Sequence, residues 1–190
     1  MKKIEIEIPD GKRAEWVNGV LTLVDDAPKD ITKRIKTFED ACRELGEYHP
    51  FVCAYNGYAQ NVSEEIKNDT DIIAYLKLRI ITAALNEGWE PEFKEDEKRW
   101  YPWFTLWTKD ELSDKSDAWK AKRHLISTGN YLGDWAGFAY ECSNDLNSLT
   151  NFGSRLCLKS SKLASYCGKQ FINLWADFSL IKSNKPKNGG

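Results

Sequence analysis

The sequence predicts an α+β fold, and three observations carry that reading. A hairpin signal stands near the N-terminus, a strongly periodic helical segment covers 70–87, and an aromatic extended run at 100–107 precedes a Gly/Asn/Ser-rich stretch. The expected layout is an N-terminal β-meander over 1–26, a main α+β domain over 30–181 and a disordered tail over 182–190. The main domain runs through central helices and a small aromatic-rich antiparallel sheet to a C-terminal amphipathic helix.

In chain order, Ile4, Ile6 and Ile8 alternate with Lys3, Glu5 and Glu7, the period of a strand with one apolar face. Pro9-Asp10-Gly11 reads as a turn. Asn18-Gly19 then separates Glu15-Trp16-Val17 from Val20–Val24, and both turn positions tolerate the positive φ of a type I′ hairpin. A sheet of two or three such strands is marginal alone, so it must dock on the rest of the chain or on a partner. Asp25 to Asp30 is a turn-rich linker. Two helical pieces follow, the second opened by a capping box at Thr37/Asp40 and stopped by Gly46. Residues 49–62 read as irregular. In the 70–87 helix, Ile73, Leu76, Ile80 and Ala84 form a stripe that Ile72 and Ala83 widen, with Gly88 placed to end it.

Trp100-Tyr101-Pro102-Trp103-Phe104-Thr105-Leu106-Trp107 follows an acidic loop. As a strand it sets Tyr101, Trp103, Thr105 and Trp107 on one face and Trp100, Phe104 and Leu106 on the other. Pro102 lacks an N–H and so belongs at a strand start or edge. Residues 109–122 are charged and helical in pattern. From His124 to Ser154 there is then no Lys or Arg, although the chain holds 27 in 190 residues; about four would be expected in such a window. Gly, Asn and Ser make poor helix, so the window reads as short strands and turns. It leads into Arg155–Lys159 as a strand, and Ser160 or Ser161 caps a last helix striped by Leu163, Cys167, Phe171, Leu174 and Phe178 with Trp175 beside them.

The composition narrows function by exclusion. With 42% hydrophobic residues, eight Trp, eight Tyr and eight Phe, the chain can bury a substantial core. A net charge of −2 supplies no overall drive toward nucleic acid or anionic lipid. No apolar stretch approaches the ~18–20 residues of a membrane span. Charges interrupt the first apolar stretch, so no Sec signal is expected and the chain is placed in the cytoplasm of a bacterial host or in a virion. Five widely spaced cysteines without a CxxC, and only two histidines, His49 and His124, call for free thiols and no metal. No phosphate-binding glycine loop is present and no cofactor is expected. Aromatic stacking on nucleic acid normally comes with interleaved Lys or Arg, and 100–107 contains neither.

The window is the candidate binding segment. Tyr and Trp offer large amphipathic contact area, and Asn or Asp add adaptable hydrogen bonds. Asn130, Tyr131, Asp134, Trp135 and Tyr140 are the candidate ligand-binding residues of a 127–152 surface, with Phe138 or Leu156 anchoring the strands beneath. Asp134, Glu141 and Asp145 are the carboxylates a small hydrolase would need beside such aromatics. No catalytic residue is singled out.

The passages KKIEIEIPDGK, ITKRIKTFEDACRELG, DIIAYLKLRIITAALNEGWEPEFKEDEKRWYPWF and GSRLCLKSSKLASYCGKQFINLWADF resemble uncharacterised proteins encoded by gut Bacteroidales and their tailed phages and prophages. The resemblance implies context and no catalytic residue. Residues 129–156, closing on Gly153-Ser154-Arg155, are similar to the end of C-type-lectin-like variable proteins of phages and their hosts. The chain departs from that pattern by continuing into a helix over 161–178. The leading expectation is a non-enzymatic phage or mobile-element protein, either a virion or assembly component or an accessory binding protein. Its partners would be other virion or assembly proteins, or itself. The alternative is a carbohydrate- or protein-binding module that takes a glycan on the window, and the third is a small hydrolase. No membrane or nucleic-acid partner is expected.

Overall fold

The structure, a computed structural model, describes residues 6–61, 70–146 and 154–183. Helices and two small antiparallel sheets give the α+β architecture expected. The Asn18-Gly19 signal is realised: both residues take positive φ (52° and 79°), and β1 (Lys12–Val17) pairs antiparallel with β2 (Val20–Asp25). Ile6 to Pro9 form no strand, so the hairpin has two strands among the described residues; Ile4 lies outside them.

Asp30 caps a single turn, α1 (Ile31–Arg34), by accepting from the Thr32 N–H at 3.0 Å. Thr37 and Asp40 form the expected reciprocal capping box at the start of α2 (Phe38–Leu45), and Gly46 ends it at φ 87°. The expected irregular stretch is instead a helix, α3 (Pro50–Asn61). Pro50 suits the first turn, where an N–H has no helical partner anyway. The His49 ring substitutes for a cap by accepting from the Phe51 N–H at 3.2 Å.

α4 (Thr70–Asn86) sits where expected, but its buried face is different. Ala74, Leu78, Ile81 and Leu85 line the core together with Ile80 and Ala84, while Ile72 is exposed and Ile73 and Leu76 are half-buried. The helix is apolar around most of its circumference, so period alone could not choose the face that three neighbouring elements cover.

The aromatic octet lies within β3 (Arg99–Trp107), which pairs antiparallel with β5 (Gly137–Leu146); two-residue β4 (Ile126–Ser127) borders β5 on its far side. The register shifts between Trp103 and Phe104, leaving Glu141 as the extra residue of a bulge in β5. On the other edge of β3, Trp100 and Leu158 exchange backbone bonds of 3.0 and 2.9 Å. Strand alternation sends the Pro102 nitrogen to this same edge, just past the bridge, where no donor is required. Arg155–Lys159 is therefore a 3₁₀ turn (Ser154–Leu156) followed by one bridge residue rather than a strand.

Between β3 and β4, Thr108 and Ser116 cap two short helices, α5 (Lys109–Ser113) and α6 (Asp117–Lys122). Ser160 caps α7 (Ser161–Gln170), and a break at Phe171 (φ −114°, ψ 30°) divides the expected last helix into α7 and α8 (Ile172–Ser179). The break rotates the second half, so Trp175 and Ala176 reach the core while Leu174 and Phe178 stay half-buried.

In layers, the three-stranded sheet packs on α7 and α8, α4 lies behind them, and α2 and α3 cover α4. The α7–sheet approach is close enough to require glycine. A Cβ on Gly168 would lie 2.6 Å from the Pro102 Cβ and 2.9 Å from the Tyr140 ring. Among the described residues no helix is long and apolar enough to cross a membrane.

All five cysteines are free; Cys53 and Cys142 are exposed, and Cys157 and Cys167 are buried. Burial pushes the Cys157 thiol up to about 11 and the Cys167 thiol up to about 12. An unfolded thiol ionises near pH ~8.5, so above that pH the unfolded state sheds protons that the native state keeps. The stabilisation is complete below that pH and is lost as pH rises toward 11–12. Denaturant midpoints should fall steadily from pH 8.5 upward, by an amount that shrinks in Cys167→Ala. At neutral pH, mass spectrometry after brief native alkylation should show Cys53 and Cys142 modified and Cys157 and Cys167 untouched.

Candidate binding surfaces

The described part of the expected binding window divides into a surface loop and strand β5, whose residues 137–140 are buried while Glu141, Cys142 and Asn144 are exposed. Residues 128–136 leave β4 and return to β5 as a loop clamped on both sides. Thr128, itself buried, donates from its hydroxyl to the Trp135 carbonyl and accepts at its own carbonyl from the Tyr131 N–H at 2.8 Å. The Ala136 N–H donates to the Trp107 carbonyl at 2.8 Å. From the C-terminal side, the Leu132 N–H donates to Ile181 O (2.8 Å) and the Ser183 N–H to Asn130 O (2.9 Å). Lys182 and Ser183 are thus part of the fold rather than of a tail; residues 184–190 lie outside the described ones.

On this clamp Asn130, Asp134 and Trp135 are exposed, Trp135 to 46%. Tyr131 is half-buried, and its hydroxyl donates to Asp177 Oδ1 at 2.7 Å, where the Lys182 ammonium also pairs at 3.0 Å. Burial and the Asp177 carboxylate raise the Tyr131 pKa well above the ordinary phenol range. Tyr131 therefore fastens the loop to α8 and presents little contact surface. Tyr140 is not a surface residue: it is 6% exposed, beneath Gly168 and edge-on to Phe104 at 6.3 Å. Its strand position puts its ring on the face that α7 covers. Phe138 and Leu156 are buried anchors, as expected. Of the five candidates the loop brings three to solvent, and it adds two that sequence reasoning missed, Leu132 and Ile181, both exposed. Ile181 joins through a pairing some fifty residues away, for which no local signal exists. Residues 147–152 of the expected surface lie outside the described ones.

Two of the three carboxylates expected for hydrolysis, Glu141 and Asp145, are held by cations, while Asp134 is exposed on the loop. Glu141 pairs with Arg123 and accepts from the Thr105 hydroxyl at 3.3 Å; Asp145 pairs with Lys98 at 3.2 Å. The aromatic octet is shared between core and surface. Trp100, Phe104 and Leu106 pack on the core cluster, with Phe104 stacked on Phe138 at 4.7 Å. On the opposite face Trp107 meets Trp119 of α6 edge-on at 5.0 Å under Lys115 and Arg123, while Trp103 is 41% exposed. Among the described residues no three His, Cys, Asp or Glu side chains cluster to hold a metal.

The second surface is the hairpin. Ala14, Trp16, Leu21 and Leu23 share one face by register, with Trp16 opposite Leu21 and the Lys12–Asp25 ion pair (2.6 Å) at its base. The other face carries Val17 and Val20, and both faces are open to solvent: Trp16 is 72% exposed and Val20 64%. Among the described residues, the core does not cover either face of the hairpin.

Comparison with known proteins returns no matching family model, no matching curated protein and no matching solved structure.

Proposed function

We propose that the chain is a non-enzymatic binding protein of phage or mobile-element origin, an assembly component acting in the host cytoplasm or in the virion. Its N-terminal hairpin engages a protein partner, either a virion neighbour or a second copy. The observation that carries the reading is a two-stranded sheet whose apolar face, centred on Trp16, Leu21 and Leu23, meets solvent. Two strands alone are marginally stable, and exposed tryptophan is strongly stabilised when a partner covers it. The double variant Trp16→Ser/Leu21→Ser removes little from the core, so its melting temperature should stay within about 2 °C of the parent. Sedimentation velocity of the purified chain, together with co-sedimentation with particles, should show lost association. Association equal to the parent's in both measurements would sink the reading.

A second reading, a module that binds glycan or protein through the 128–136 loop, is favoured by the exposed Trp135 flanked by Asp134 and Leu132 on a clamped backbone. Trp135→Ala should leave the melting temperature within a few degrees and abolish retention on a glycan array. Tyr131→Ala should destabilise by about 1–3 kcal/mol, because the loop loses its hydroxyl bond to Asp177, which keeps only Lys182. Equal destabilisation by both changes would place Trp135 in the core and remove this reading.

A further inference from the structure

Six of the seven described arginines divide by their partners; the seventh, Arg99, is buried over the Phe93 ring. Arg13, Arg34, Arg43 and Arg123 each meet a carboxylate, whereas Arg79 and Arg155 form no ion pair among the described residues. Those two line the same cleft, about 280 Å³ in volume, between α4, the Trp89–Pro91 loop and the 3₁₀ turn. Arg79 lies flat on Phe51, with its guanidinium carbon 4.0 Å from the ring centre, and Nη1 donates to the Tyr75 hydroxyl at 3.2 Å. Nε is shielded from solvent. Nη2 is the nitrogen left to meet an incoming group. The stack and the tyrosine fix the guanidinium plane in advance, so little side-chain entropy remains to be lost on binding.

The uncharged polar side chains in the cleft are already committed: the Thr82 hydroxyl donates to Arg79 O at 3.2 Å, and the Asn86 amide donates to Cys157 O and accepts from the Lys159 N–H. Trp89 and Pro91 supply apolar wall. Glu90 also lines the cleft, so two guanidinium charges face one carboxylate and the lining carries a single surplus positive charge. One negative charge balances it, whereas a phosphate dianion would overshoot. We infer that this cleft binds a small organic carboxylate, its oxygens on Arg79 and Arg155 and its apolar body on Trp89 and Pro91. The site is separate from the hairpin and from the 128–136 loop.

Benzoate and its uncharged isostere benzamide are suitable probes, titrated calorimetrically into the full chain at constant ionic strength. Benzoate is expected to bind saturably. Affinity should fall about tenfold or more in Arg155→Ala, whose exposed side chain can be removed without disturbing the core, and similarly in Arg79→Lys, which keeps charge but loses the planar fork. Benzamide should bind at least about tenfold more weakly than benzoate. The inference is overturned if benzoate shows no saturable binding to the parent protein, if Arg155→Ala binds it as tightly, or if benzamide matches it.

Discussion

Truncating Trp175 to alanine is expected to cost about 3–5 kcal/mol of folding stability. The side chain is 4% exposed and sits where the sheet meets α8. Its ring lies 5.6 Å from Phe104, which in turn stacks on Phe138, and 6.3 Å from Phe178. Removing the indole leaves a cavity that three rings anchored on separate elements cannot collapse to fill. For a chain of this size the loss corresponds to a melting temperature lower by about 6–20 °C. Leu174→Ala, one residue away but half-buried, should cost markedly less. Urea titrations would refute the placement if Trp175→Ala lost under about 1 kcal/mol at unchanged m-value, or if Leu174→Ala proved the more damaging. The comparison tests the break at Phe171, since an unbroken helix would have put Leu174 inside.

That break marks the kind of feature the sequence did not disclose. Signals acting over a few residues were legible: the Asn-Gly hairpin, the Thr37 box, the Gly46 and Gly88 stops and the strand character of 100–107 all rest on local backbone preferences. Faces of elements were less so. Ile72 and Leu78 are equally apolar, and only the packing of α2, α3 and α8 against α4 decides that one is exposed and the other buried. α3 was hidden by His49-Pro50 and Gly57, which locally argue against helix although Pro50 occupies a position that tolerates it. Exposure within the window was legible only in part for the same reason. Composition located the loop and its exposed Trp135, but whether a strand tyrosine faces solvent or α7 depends on Gly168, twenty-eight residues from Tyr140. The carboxylate cleft was invisible, because Arg79, Trp89 and Arg155 share no motif and meet only in the fold.

Asn86→Ala is expected to cost about 2–5 kcal/mol, the sum of two backbone groups left without partners. Asn86 is 5% exposed at the end of α4; its Nδ2 donates to Cys157 O at 2.9 Å and its Oδ1 accepts from the Lys159 N–H at 3.0 Å. Leu158 between them turns its own N–H and C=O to Trp100. The side-chain amide thus acts as a strand partner for a segment that β3 pairs on the opposite side only. Asn86→Asp separates this role from simple packing. A carboxylate can still accept from Lys159 but repels the Cys157 carbonyl, whereas a protonated carboxyl can donate to it. Burial beside that carbonyl raises the substituted group's pKa above its unfolded value, so the variant's stability is retained at low pH and lost as pH rises through the folded pKa. Denaturant midpoints for Asn86→Asp should therefore approach the parent's in acid and diverge from it toward neutrality, while Asn86→Ala stays low at every pH. A pH-independent gap for the aspartate variant would show that the donor to Cys157 O does not hold the segment in place.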